Sequence, residues 1–180
     1  MFEAGKWVVY GVHGVCRVVG KEKQLVNRKR TEYLVLEPLA QNESRYFVPT
    51  ANAAAMGKLR EVLSADEMKA LLVSDEIRQD CWIADENQRK QYYRDLTSNG
   101  DRVSILKMTY SLYRYKEEQL AAGRKFHLCD DNFLRDAEKL LSSEIALVLD
   151  MPQDQAREYL RETLKAGIDK SHLARGGIFY

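Results

Sequence analysis

The chain has 180 residues, 45% of them hydrophobic and 31% charged, with a formal net charge of +1. That is enough chain for one or two small soluble domains with a real core. It excludes a strongly basic nucleic-acid binder of the usual kind, and no apolar run approaches the ~20 residues of a membrane span. The three cysteines, Cys16, Cys81 and Cys129, are odd in number and widely spaced. This favours reduced thiols in a cytoplasm over a disulfide framework. The N-terminus lacks the basic and apolar regions of a secretion signal. Charge is distributed unevenly: residues 1–60 carry +5, 61–81 carry −4, 82–128 carry +3 and 129–180 carry −3. A DNA contact, if made, is therefore local and salt-sensitive.

The first fifty residues are short β-branched and aromatic segments separated by glycines and polar turns. Lys6–Tyr10 reads as a strand and Gly11–Gly14 as a turn. Val15–Val26 reads as a long strand bent near Gly20. Asn27–Arg30 is a polar reversal, and Glu32–Glu37 a strand buried on both faces through Tyr33, Leu34, Val35 and Leu36. Gln41–Ser44 is a second turn. Arg45–Val48 is a short strand that Pro49 ends, because proline has no amide to donate. This is the size of a small, strongly bent antiparallel barrel of the Tudor/SH3 type.

After Pro49 everything reads as helix, which gives an α+β chain with an all-α second half. A short helix ends at Gly57. Ser64-Ala65-Asp66-Glu67 has the pattern of a capping box and opens a helix to about Val73. Residues 74–84 form a connection and 85–97 a helix, with a break at Thr97–Asp101. Val103, Leu106, Tyr110, Tyr113 and Leu120 recur at helical spacing up to Gly123. Asp130 or Asp131 caps the next helix, whose apolar stripe is Phe133, Ala137, Leu140, Leu141, Ile145, Val148 and Leu149. Pro152 opens a last helix to about Lys165. The tail from Gly167 has no strong period, with Ile178, Phe179 and Tyr180 as docking candidates. The expected divisions are 1–56, 57–166 and 167–180.

Catalytic patterns are missing. No phosphate-binding glycine motif occurs, and no CxxC pair. His13 with Cys16, and His127 with Cys129, could in principle hold zinc, but metal-ligand spacing is otherwise absent. No cofactor or metal is expected. A thiol-dependent enzyme using Cys16, Cys81 or Cys129 is a distant rival, because no base is paired with any of the thiols.

An N-terminal Phe-x-x-Gly-x-x-Val-Val-Tyr-x-x-x-Gly-x-x-x-Val pattern is met by Phe2, Gly5, Val8, Val9, Tyr10, Gly14 and Val18. Glu32–Leu36, Val48-Pro49, Ser98–Asp101, Leu120–Lys125 and Ala137–Leu141 follow at matching distances. Over roughly residues 1–164 the chain resembles the CarD/CdnL family of bacterial transcription regulators. The front pattern alone is shared with the polymerase-binding module of the transcription-repair coupling factor.

The resemblance implies a barrel that docks on the β subunit of RNA polymerase. It also implies a helical domain that meets promoter DNA at the upstream edge of the melted region, changing open-complex stability with little sequence readout and no catalysis. The matching docking positions are Lys23, Gln24, Leu25, Val26, Arg28, Arg45 and Phe47. Gln24 and Phe47 stand where well-studied relatives carry basic residues. On the DNA side Trp82 is the wedge candidate for the minor groove. Arg89, Lys90, Arg94, Arg124 and Lys125 are candidates for phosphates. The nearest rival is a polymerase-bound adaptor whose helical half recruits a protein. Oligomeric state stays open between a monomer and a strand-swapped dimer.

Overall fold

Short runs of Val, Leu, Tyr and Trp bounded by glycine and proline become strands because their branched and aromatic side chains fit a half-buried pleat. The computed structural model describes residues 2–39 and 44–175, with side chains through residue 168. Strands β1 (Trp7–Tyr10), β2 (Val15–Val26), β3 (Lys29–Pro38), β4 (Tyr46–Pro49) and β5 (Leu59–Glu61) form one antiparallel sheet in the order β4-β3-β2-β1-β5. A short helix, α1 (Ala53–Met56), stands between β4 and β5. The buried face gathers Val8, Cys16, Val18, Leu34, Leu36, Val48 and Leu59. Each such aliphatic side chain contributes about 1.5–3 kcal/mol on burial.

The bend expected near Gly20 is a register shift between Val18 and Gly20, where Gly20 has φ +153. Val19 is the extra residue, without a partner in the register, and it re-aims the outer part of β2. The reversal at its far end is a two-residue turn with Asn27 at φ 51 and Arg28 at φ 64. Positive φ at both central residues matches the right-handed twist of the strands it joins.

β5 is a departure from the all-helical reading after Pro49. It pairs with β1, Leu59 opposite Tyr10 and Glu61 opposite Val8. Three residues are too few to show a period-2 pattern, so it left no sequence signal. Its pairing carries the compact first unit through Val62, past the expected boundary at residue 56.

The second unit runs from Leu63 and contains α2 (Ala65–Val73), α3 (Glu86–Asn99), α4 (Arg102–Ala121), α5 (Leu128–Val148) and α6 (Gln153–Arg175). The capping box at Ser64 is present: its hydroxyl accepts from the Glu67 amide, and Glu67 accepts from the Ser64 amide at 2.8 Å. α3 runs on to Asn99, and the break narrows to Gly100 in the left-handed region, with Asp101 capping α4. α4 is the central helix, buried along Ile105, Leu106 and Met108–Tyr113. Leu120, read as part of its apolar stripe, is instead exposed.

Two further expectations change. The N-cap of α5 is His127, with no side-chain cap. Asp130 points inward to an arginine, and Asp131 bonds Lys116 and Arg135. α6 continues through Gly167 to Arg175. Gly167 is not a stop: a Cβ there would come within 2.8 Å of the Arg78 side chain, so the glycine leaves room for that guanidinium. The readings for Gln41–Glu43 and Ile178–Tyr180 lie outside the described residues.

Candidate functional site

In the sheet unit, β2 pairs with β3 alone from Gly20 to Val26, because β1 reaches only as far as Arg17 in the strand register. β4 in turn pairs with β3 only over Tyr33–Leu36. The β2–β3 hairpin therefore runs on as a two-stranded ribbon, and every residue from Lys21 through Arg30 is exposed. Leu25 is 72% exposed at its outer part. Lys21 and Glu32 are paired across it at 3.4 Å.

Cross-strand partners share a face. Lys23 and Leu25, opposite Glu32 and Arg30, continue the face that becomes the core. Gln24 and Val26, opposite Thr31 and Lys29, lie on the other face with Tyr33 and Phe47. Tyr33 and Phe47 meet edge to face, centroids 6.3 Å apart, and Phe47 stays 44% exposed. Arg45 reaches Glu37 at 3.4 Å. Arg28 occupies the tip. The seven docking candidates thus do not form one patch: Gln24, Val26 and Phe47 share a face, Lys23 and Leu25 take its reverse, Arg28 holds the tip, and Arg45 lies beside Glu37.

In the helical unit, Trp82 sits in the connection before α3, partly buried against the core. Its ring stacks on Tyr115, centroids 3.5 Å apart and planes 22° apart. Tyr115 continues to Phe126 at 6.5 Å. Lys116 lies 5.3 Å over the Phe126 ring. This aromatic row brings the connection that bears Trp82 to the α4–α5 turn, where Arg124 and Lys125 are exposed.

Arg89 is the correction among the phosphate candidates. It is 3% exposed. Its Nε and Nη2 donate to the two carboxylate oxygens of Asp130, both at 2.9 Å, and Nη1 donates to the carbonyls of Ile83 and Ala84. Its guanidinium lies 4.1 Å over the Trp82 ring. Four of its five N–H groups are engaged within the fold, and a guanidinium so enclosed is not presented to a phosphate. Helical spacing placed it beside Lys90, but the two differ by about 100° around the axis, and the buried partner of Arg89 lies 41 residues away. Lys90 is paired with Glu86 one turn earlier, and that pairing raises its pKa. Arg94 is exposed and, among the described residues, makes no ion pair.

Sequence reasoning missed a set of buried carboxylates on α5. Asp130 meets Arg89 of α3, Glu138 meets Arg161 of α6, and Glu144 meets Arg102 of α4. Each pair is bidentate. Glu144 also accepts from the Leu63 amide at 3.4 Å, and Glu138 from the Tyr113 hydroxyl. Burial raises the pKa of Glu138, but the bonds from Arg161 and Tyr113 outweigh it, and the net direction is downward. Burial, then the bond to Glu138, pushes the Tyr113 phenol far up. The available signal was an acid inside an apolar stripe, as with Glu138 and Glu144 in α5.

None of the three cysteines is in a disulfide. Burial pushes the Cys81 thiol up, which disfavours the thiolate. Among the described residues no three His, Cys, Asp or Glu gather in a way that could hold a metal, and no helix is long and apolar enough to cross a membrane. A pocket of about 400 Å³ opens between α4, α5 and α6, lined by Tyr113, Leu134 and ion-paired charges including Arg161 and Lys165.

An open ribbon on the five-stranded sheet, and an aromatic row edged by cations on the helical unit, are the features around which the candidate residues gather. Residues 2–62 match the family model described as the CarD-like/TRCF RID domain. This places such a domain at the N-terminus, over the sheet unit, with a transcription-associated role. No curated protein matches the chain.

Proposed function

We propose that the chain is a transcription regulator that grips the β subunit of RNA polymerase with its sheet unit and meets promoter DNA, at the upstream edge of the melted region, with its helical unit. No catalytic step belongs to this role. The observation that carries the reading is the open ribbon from Gly20 to Arg30 on a domain matched to the CarD-like/TRCF RID model. An unpaired strand margin can accept a strand of a partner, main-chain bonds giving affinity and flanking side chains specificity. Leu25, Val26 and Phe47 offer apolar contact there; Lys23, Gln24, Arg28 and Arg45 offer polar and charged contact.

On the helical unit Trp82 is the residue proposed to rest against opened base pairs. An apolar wedge in the minor groove offsets the few kcal/mol of unstacking. Lys90, Arg94, Arg124 and Lys125 are the proposed phosphate contacts, with Arg89 set aside. The test is twofold. Leu25→Glu with Phe47→Glu abolishes retention of polymerase on the immobilised chain, and Trp82→Ala, still folded, changes the half-life of the open complex. Full retention by the double variant sinks the docking reading, and an unchanged half-life sinks the wedge.

A second reading has its own observation. Leu128 is 73% exposed and Leu120 58%, on either side of the α4–α5 turn. Apolar side chains there suit a protein partner of the polymerase-bound chain. A band-shift on forked promoter DNA, with and without polymerase, separates the two.

A further inference from the structure

The connection that bears Trp82 has no regular structure from Gln79 to Asp85. Holding such a segment in one conformation costs conformational entropy at every residue. It is nevertheless tied down repeatedly. The Cys81 amide donates to Ser111 Oγ at 3.0 Å, and the Trp82 amide to Asp80 Oδ1 at 3.0 Å. Asp80 is itself held by Arg114 of α4. Beyond Trp82, Arg89 Nη1 donates to the Ile83 carbonyl at 2.7 Å and the Ala84 carbonyl at 3.2 Å. The same guanidinium covers the indole, and its other edge is fixed on buried Asp130.

We propose that Arg89, anchored by Asp130, is a positioning residue that presents Trp82 in one orientation. The inference rests on the reading of Trp82 as the residue that meets opened duplex. Arg89 does three things with one planar group. It saturates the carbonyls that follow Trp82, it lies against the ring, and it takes its own direction from a bidentate carboxylate. A lysine has one point charge and cannot do all three. The stack on Tyr115 restrains the indole, and the Arg89 guanidinium adds a second contact over the same ring, so fewer rotamers have to be frozen out on binding DNA. Pre-ordering removes that cost. A stacked cation contributes about 1 kcal/mol, which is a factor of about five in the population of the held rotamer.

The experiment uses the full chain with Trp7→Phe, which leaves Trp82 as its one tryptophan, because the sequence has two. Removing only one member of the Arg89–Asp130 pair risks unfolding by leaving a buried charge unpaired. The informative variant is therefore Arg89→Met with Asp130→Leu, which removes both charges. Arg89→Lys is measured beside it. Acrylamide quenching of Trp82 and the open-complex half-life are read, with circular dichroism melting to confirm folding. The expected result is a folded double variant whose quenching constant rises severalfold and whose half-life shifts to that of Trp82→Ala. Arg89→Lys restores neither. A folded double variant with wild-type quenching overturns the proposal. Should Trp82→Ala itself leave the half-life unchanged, the wedge reading fails, while the quenching constant still decides whether Arg89 holds the indole.

Discussion

Tyr113 and Arg161 close on one carboxylate, that of Glu138, from helices α4 and α6 on either side of α5. Glu138 is 3% exposed, so its charge is tolerated only because both partners reach it. Its pKa lies below the usual glutamate value of 4.5. A group depressed on folding contributes stability that is present above its unfolded pKa and is lost as pH falls through its folded pKa. The chain should therefore lose stability from about pH 5 downward. Glu138→Gln should cost about 1–3 kcal/mol at neutral pH. It should also flatten that acid limb, as read by urea melts across the pH range. Equal acid slopes in variant and wild type would count against this account.

Glu144 joins Arg102 to the Leu63 amide. Glu144→Ala leaves a guanidinium only 12% exposed at its side chain without this partner. The expected cost is about 3–5 kcal/mol. It is larger than that of an exposed pair such as Lys6–Glu3, which contributes at most about 1 kcal/mol. Chemical denaturation of Glu144→Ala and Glu3→Ala, side by side, gives the comparison.

Arg28 pays for its place at the ribbon tip with φ 64, a region costly for any residue with a Cβ. Arg28→Gly should raise stability by up to about 1 kcal/mol. On the docking reading it should at the same time weaken polymerase retention. A thermal melt and a pull-down on the same sample check both signs, and a drop in melting temperature would contradict the strain argument.

Each phosphate neutralised adds about −0.9 to the slope of log affinity against log salt on duplex DNA. On the proposed DNA contact, Arg124→Gln with Lys125→Gln should make the slope shallower by about two, with little change in sequence preference. A salt titration by fluorescence anisotropy measures it. An unaltered slope removes the α4–α5 turn from the proposed DNA surface.

The strands β1 to β4 were legible because apolar residues there alternate between glycine and proline punctuation, as at Gly14 and Pro49. The Ser64–Glu67 box was legible because its two bonds are local in sequence. β5 was not, since a three-residue strand shows one buried side chain, Leu59, and no period. Arg89 was not, because α3 is polar nearly all round, and only Asp130, far along the chain, decides which arginine turns inward. Leu120 looked apolar and therefore buried, yet helix spacing cannot say where a neighbouring helix ends. The proposed docking positions were legible only as a stretch, while their division between two faces of the ribbon needed the register shift at Gly20.

Three arginines from three helices each make a bidentate pair with an acid of α5. This has a consequence for anyone building hybrids of this unit. A transplanted α5 would carry Asp130, Glu138 and Glu144 into a host lacking their counterparts, and each would arrive as an unmatched ion in an oily interior. Swaps of α3, α4 or α6 break one of these three arginine pairs apiece. Recombination is therefore tolerable only when donor and acceptor segments travel as matched sets, with α5 the last piece to exchange.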